Sequence, residues 1–250
     1  MLHKIVDTKK EEISRISISS LPKREVPLYP FASSLKASSL TMIAECKKGS
    51  PSAGILRSDY SAVSIAKEYE TCGASAISVL TDRDYFYGSL EDLNQVSRSV
   101  SIPVIRKDFI IHESQIQEAY SYGASAILLI VRILEKSRLQ ELFQYAKSLG
   151  LGVLVETHNR EEVELSLELG MDVIGINTRD LDTFAIHPNL VKEIAPLIPN
   201  HLVRVAESGI HSSKDWDDCK GIVDSVLIGT YFMKEENITT AYRKLTTGIS

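Results

Sequence analysis

The chain has 250 residues, 44% hydrophobic and 24% charged, with a formal net charge of −5 and a pI near 5.7. That composition supplies a core but no basic stripe for nucleic acid, and no apolar run approaches the roughly 18 residues of a membrane span. Three scattered cysteines, Cys46, Cys72 and Cys219, have neither metal-ligand spacing nor a disulfide pattern, so no metal is expected.

Residues 1–40 read as an N-terminal extension. A helix is predicted over 3–18, anchored by Ile5, Ile13 and Ile16. An extended stretch comes next over 21–32, set by Pro22, Pro27 and Pro30. The first residues are charged and lack an apolar signal region, which predicts a cytoplasmic protein. The extension is expected to pack on a barrel formed by 41–247 and to cover its mouth, while that barrel is expected to fold without residues 1–35.

From residue 41 a repeat sets the architecture. GASAISVL (73–80) returns as GASAILLI (123–130), then as GMDVIGIN (170–177) and GIVDSVLIG (221–229). Each starts on a Gly that ends a helix and continues as an apolar strand. Four further apolar runs lie between them, at 41–46, 103–106, 152–155 and 202–206. Amphipathic segments separate the runs (61–73, 113–123, 134–150, 159–170), with Ser89 and Asn159 as N-caps. Eight strands alternating with helices predict a single (β/α)₈ TIM barrel domain over 1–250, with 1–40 as a helical extension.

Several of these runs end on charge. TMIAECK carries Glu45 and Lys47, PVIRKDF carries Lys107, GVLVE ends on Glu156, DVIGIN on Asn177, and LVRVAESG carries Glu207. A buried parallel strand is otherwise apolar, so the charges gather on the carboxyl rim, where barrel enzymes build their sites. Glu45 and Lys47, two apart, share a side. The KKGSPSAG loop after them suits an anion and a mobile flap. Lys107 is open to three readings: Schiff-base nucleophile, general acid or electrostatic clamp. Glu156 and Glu207 are acid/base candidates, Asn177 can orient a substrate oxygen, and Arg179 can grip a carboxylate. Backbone N–H groups of Ser208, Gly209, Gly229 and Thr230, with a short helix near 231, suit a phosphate, and a side chain at Gly229 is expected to obstruct them. The aromatics of DRDYFYGS (82–89) and Phe109 could face a ring. His112, His158 and His211 have no evident partner and are expected at the surface. A Schiff-base aldolase, a sugar-phosphate isomerase and a non-catalytic phosphate binder are the competing classes.

Taken together, IAECKKGSPSAG, SVLTDRDYFYGS, IPVIRKDFI, ASAILLIV, VLVETHN, IGINTRDL, VRVAESGI and VLIGTYFM resemble the indole-3-glycerol phosphate synthase family over nearly the whole chain. The resemblance implies a (β/α)₈ barrel with an N-terminal extension and a decarboxylating, dehydrating ring closure of 1-(2-carboxyphenylamino)-1-deoxyribulose 5-phosphate in tryptophan biosynthesis, with no cofactor. It implies Lys107 as general acid at the ketone, Glu156 as acid/base in dehydration, and Lys47 as anion binder and proton carrier. Glu45, Asn177 and Glu207 orient the substrate and stabilise charge. Ser50, Pro51 and Arg179 match the carboxylate site, and Phe86, Phe109 and Leu128 match the ring contacts. Ser208, Gly209, Gly229 and Thr230 match the phosphate cradle. The expected partner is that small sugar phosphate with its anthranilate ring, bound by a monomer with neither nucleic acid nor membrane.

Overall fold

In the computed structural model, which describes residues 1–51 and 53–249, eight parallel strands close into a barrel. They are β1 (Thr41–Cys46), β2 (Ala76–Leu80), β3 (Val104–Lys107), β4 (Ala126–Ile130), β5 (Gly152–Thr157), β6 (Val173–Asn177), β7 (Val203–Glu207) and β8 (Ser225–Ile228). Each pairs with its chain neighbour, and β8 returns to β1 with Thr41 opposite Ser225. Besides the single turns Phe31–Ser34 and Arg83–Phe86, the α-helices among the described residues are α1 (Leu2–Ile13) before the barrel, then α2 (Ala62–Thr71), α3 (Leu90–Ser97), α4 (Glu113–Ser121), α5 (Lys136–Ser148), α6 (Arg160–Glu168), α7 (Leu190–Ile194), α8 (Ser213–Cys219), α9 (Thr230–Met233) and α10 (Ile238–Thr247). Among the described residues no helix is long and apolar enough to cross a membrane.

Local chemistry sets the boundaries. The Ser89 hydroxyl accepts the Asp92 N–H at 3.0 Å, and the Asn159 side chain accepts the Glu162 N–H at 2.8 Å, each starting its helix. Gly73 and Gly123 take φ of +96° and +95°, a conformation that ends a helix and turns the chain into the next strand. Alternation along the strands then divides the core. Met42, Ala44 and Cys46 face the helices, while Ile43, Ile105, Leu154 and Val205 fill the barrel.

The extension spans the barrel from top to bottom. At the top, Leu2 and Ile5 of α1 join the inner cluster with Phe109, Leu128 and Phe86. Down the side, the Arg24 guanidinium donates to the carbonyls of Tyr120 and Ala124 at 2.9 and 2.7 Å. At the bottom, the turn Phe31–Ser34 puts Phe31 and Leu35 under the strands, where a Cβ on Gly152 at the start of β5 would strike the Phe31 ring. This corrects one expectation. The helix ends at Ile13, where the Ser14 hydroxyl bonds back to the Glu11 carbonyl and competes with helix; Ile16 lies outside it, half-buried. The extension also closes the floor of the barrel with Phe31 and Leu35, about 2 kcal/mol of apolar burial each, so deleting 1–35 removes that contribution to its stability.

Candidate active site

The odd-numbered strands each send one residue into a single layer at the carboxyl end of the barrel. They are Glu45 from β1, Lys107 from β3, Glu156 from β5 and Glu207 from β7. A barrel interior stacks four side chains per layer from alternate strands, usually aliphatic; here three are carboxylates around one ammonium. Lys107 Nζ lies 3.2 Å from Glu207 Oε2, 3.6 Å from Glu45 Oε2 and 3.9 Å from Glu156 Oε2. The other oxygen of Glu45 lies 3.6 Å from Lys47 Nζ, so Glu45 bridges both lysines. Two glycines, Gly175 within β6 and Gly229 just past β8, make room for the layer. A Cβ on Gly229 would come 2.6 Å from Glu45 Oε1, and one on Gly175 would collide with Glu207 Oε1.

The charges of the layer are unequally held. Burial works against the Lys107 ammonium, but Glu207, Glu45 and Glu156 together hold its pKa above the ordinary lysine value. Burial lowers that of Lys47, with Lys107 and Arg179 adding to the effect and Glu45 opposing it. Glu45 is buried yet kept below the usual carboxylate range by Lys107 and Lys47. Glu156 falls to about 2 despite its burial, because His158, Lys107 and Asn177 stabilise the anion. Glu207 is pushed up to about 8 by burial and by Glu156, which outweigh Lys107. The layer therefore sets one ammonium among three carboxyl groups, of which Glu207 keeps a proton more readily than Glu45 and Glu156 do.

Above the layer opens a cavity of about 510 Å³. Its lining brings together Glu45, Lys47, Lys107, Glu156 and Asn177; Ser50, Pro51 and Arg179; Phe86, Phe109 and Leu128; and Ser208, Gly209, Gly229 and Thr230. Glu207 alone of the sequence candidates is not on the wall. It is 1% exposed and sits behind Lys107. Lys47 Nζ lies 6.0 Å from the Phe86 ring centre, and the Phe86 and Phe109 rings are 6.1 Å apart. The other aromatics of the stretch turn elsewhere: Tyr87 is exposed, and Tyr85 bonds the Thr8 hydroxyl of α1 at 2.9 Å. Asn177 Oδ1 accepts the Arg179 N–H at 3.0 Å, fixing the start of the loop after β6. Next to this segment, at the end of the paired strand β7, Ser208 and Gly209 both have positive φ, +66° and +78°. The KKGSPSAG loop forms a small hairpin, Gly49–Ser50 against Gly54–Ile55; its Ser52 lies outside the described residues. A side chain at Gly229 would strike Glu45 first, so that position tests Glu45 rather than phosphate alone.

The sequence profile described as indole-3-glycerol phosphate synthase matches residues 2–245. The chain belongs to the indole-3-glycerol phosphate synthase family. Members of that family are decarboxylating lyases of tryptophan biosynthesis. The indole-3-glycerol phosphate synthase of Leptospira interrogans is 53% identical over 246 residues, 98% of this chain and 96% of that one. Those of Campylobacter curvus and Geobacillus kaustophilus are 45% and 43% identical, covering 87% and 98% of this chain and 85% and 96% of theirs. A thiamine phosphate pyrophosphorylase structure from Pyrococcus furiosus shares the fold, with a TM-score of 0.59 at 16% identity over 82% of this chain and 93% of that one.

Two residues at this indole-3-glycerol phosphate synthase site escaped the sequence reading. His158 is not a surface histidine: its side chain is 2% exposed, with Nε2 3.3 Å from Glu156 Oε1 and Nδ1 3.3 Å from Glu162 Oε2. Its signal was parity with Glu156 on the strand and i+4 spacing to Glu162. Lys9 is 1% exposed and pairs with Asp82 at 2.7 Å and Asp108 at 2.9 Å, pinning α1 beside Lys107. A lysine in helical phase with Leu2 and Ile5 was its signal. His112 is also partnered, its Nδ1 accepting the Ser114 N–H at the start of α4, whereas His211 is exposed as expected.

Proposed function

We propose that this cavity closes the indole ring of 1-(2-carboxyphenylamino)-1-deoxyribulose 5-phosphate with loss of CO₂ and water, the activity of the family. The observation that carries the reading is one ammonium held charged between carboxylates, in a cavity whose lining also holds cations, rings and a backbone nest. The substrate has three matching handles: a carboxylated ring, a ketose and a phosphate. Ser50, Pro51 and Arg179 hold the carboxylate, with Phe86, Phe109 and Leu128 against the ring. Ser208, Gly209, Gly229 and Thr230 hold the phosphate.

In the first step the ring carbon bearing the carboxylate attacks the ketone carbon. A C–C bond forms, and the carbonyl oxygen takes a proton from Lys107. Loss of CO₂ returns its electron pair to the ring and restores aromaticity. The new hydroxyl then leaves as water while a proton departs from the adjacent carbon, with Glu156 moving the proton. Glu45, Asn177 and Glu207 keep Lys107 and the substrate oxygens in place. The enzyme works as a cytoplasmic monomer with no nucleic-acid or membrane partner.

One observation favours exchanging the lysines: Lys47, with its lowered pKa, gives up a proton more readily than Lys107. Steady-state formation of fluorescent indole product tests both readings. Lys107→Met should cut turnover by at least about 10², the scale of a lost general acid. If Lys47→Met shows the larger loss, the exchanged assignment holds. Turnover near wild type in both variants would sink the mechanism.

A further inference from the structure

We propose that His158 is a positioning residue for Glu156, clamping that carboxylate against the cavity wall from behind and tying it to the loop after β6. The inference rests on the reading of Glu156 as an acid/base group. His158 itself does not line the cavity, so it acts through Glu156.

The geometry selects a protonated ring. Each ring nitrogen lies 3.3 Å from a carboxylate oxygen, Nδ1 hydrogen-bonded to Glu162 and Nε2 at ion-pair distance from Glu156. A neutral imidazole has one N–H and would turn its lone pair on the other carboxylate; only the imidazolium serves both. Glu162 is well placed to hold this arrangement, because its Oε2 also accepts the His158 backbone N–H at 2.7 Å. Burial opposes the charge, but Glu156 and Glu162 raise the His158 pKa to about 9.

The clamp continues outward. Arg132, in the turn after β4, lies 3.4 Å from Glu162 Oε1 and 3.0 Å from Asp180 Oδ2. Asp180 in turn accepts the N–H groups of Asp182 and Thr183 at 3.0 and 2.8 Å. That loop also supplies Arg179, Leu181 and Phe184 to the cavity wall. One line of alternating charge, Glu156–His158–Glu162–Arg132–Asp180, thus joins the reacting carboxylate to the segment that meets the substrate. The charged groups bearing on the ring are Glu156 on β5, Glu162 on α6, Lys107 on β3 and Glu207 on β7, with Arg132 and Asp180 reached through Glu162.

The test is the pH profile of kcat for His158→Gln, with Glu156→Gln beside it. His158→Gln should lower kcat at least about tenfold with KM little changed, as expected when a group aligned for the transition state loses its support. Its acidic limb should move up by about 1–3 pH units, because Glu156 loses a neighbouring cation. A purely structural histidine would lower Tm and leave that limb where it was, which would overturn the proposal. Should His158→Gln fail to fold, Glu162→Gln decides: it removes one of the two carboxylates that keep the ring protonated, so the alkaline limb should fall toward neutral, and an unmoved limb overturns the idea. The underlying reading fails separately, if Glu156→Gln keeps full turnover. An inactive Glu156→Gln beside a His158→Gln with wild-type kcat and profile would remove the His158 proposal alone.

Discussion

The two sides of β3 carry buried charge for opposite purposes. Outward, Arg106 and Asp108 are tightly satisfied. Asp108 accepts the Thr81 hydroxyl at 2.6 Å and the Phe109 N–H at 2.8 Å and pairs with Lys9 at 2.9 Å, while Arg106 reaches Glu118 at 2.8 Å. Inward, between them in sequence, Lys107 stands 3.2 to 3.9 Å from three carboxylates. There Glu207 Oε1 is buried without a hydrogen-bond partner among the described residues, and Glu156 Oε1 is met by the 3.3 Å ion pair with His158 instead of a hydrogen bond. The pKa values follow the partners. Asp108 is drawn down to about 2 by Arg106 and Lys9 against its burial, and Glu156 in the inner cluster falls as low with His158 and Lys107 beside it, whereas Glu207 is pushed up to about 8. Short pairs to Arg106 and Lys9 anchor, while the inner layer leaves Glu207 a proton that can move. The cost of that readiness is the desolvation that the outer cluster offsets and the inner one does not.

Breaking the outer cluster should have the largest effect on structure. Lys9→Met leaves Asp82 and Asp108 buried against each other without their shared cation, a loss of about 3–5 kcal/mol. That is comparable to what Leu2 and Ile5 contribute by burial, so α1 should come away from the barrel mouth. Hydrogen exchange over residues 2–13 should speed up sharply and KM should rise several-fold. Wild-type protection of α1 would show that the pairing does not anchor it.

Relaxing the inner cluster should do the reverse. Glu207 has a folded pKa of about 8 against an ordinary 4.5. An acid whose folded pKa is raised costs nothing below the unfolded value; the penalty grows as pH rises from about 4.5 to 8 and is complete above it. Glu207→Gln should therefore raise Tm on the order of 5 °C at pH 8.5 and leave it unchanged near pH 4. Turnover should fall as Lys107 loses its nearest partner. A variant less stable than wild type at pH 8.5 would mean that Glu207 is ionised and paired in the folded protein.

The smallest effect is expected where backbone alone does the binding. Ser208 has a φ of +66°, which costs a non-glycine residue roughly 1 kcal/mol that glycine avoids. Ser208→Gly should keep KM within about threefold, since the N–H group remains to meet the phosphate. A tenfold rise in KM would assign the phosphate to the hydroxyl instead.

Much of this was written in the chain. Helix-ending glycines such as Gly73 and Gly123, the caps Ser89 and Asn159, and the apolar runs between them determine eight βα units, because local propensity and alternation suffice for each. Alternation also determines that Glu45, Lys107, Glu156 and Glu207 point inward at strand ends. The sequence did not determine their heights. Closing the sheet staggers neighbouring strands, and that stagger alone brings the four odd-strand residues into one layer and puts Glu207 behind Lys107 rather than on the cavity wall. The partners of Lys9 and His158 belong to the tertiary structure for the same reason. Asp82 and Asp108 are remote from Lys9 in sequence, and His158 is drawn inward because β5 and α6 present it with two carboxylates at once. Likewise, proline spacing marks residues 21–32 as extended, but only the open lower end of a closed barrel gives Phe31 and Leu35 an apolar place to go.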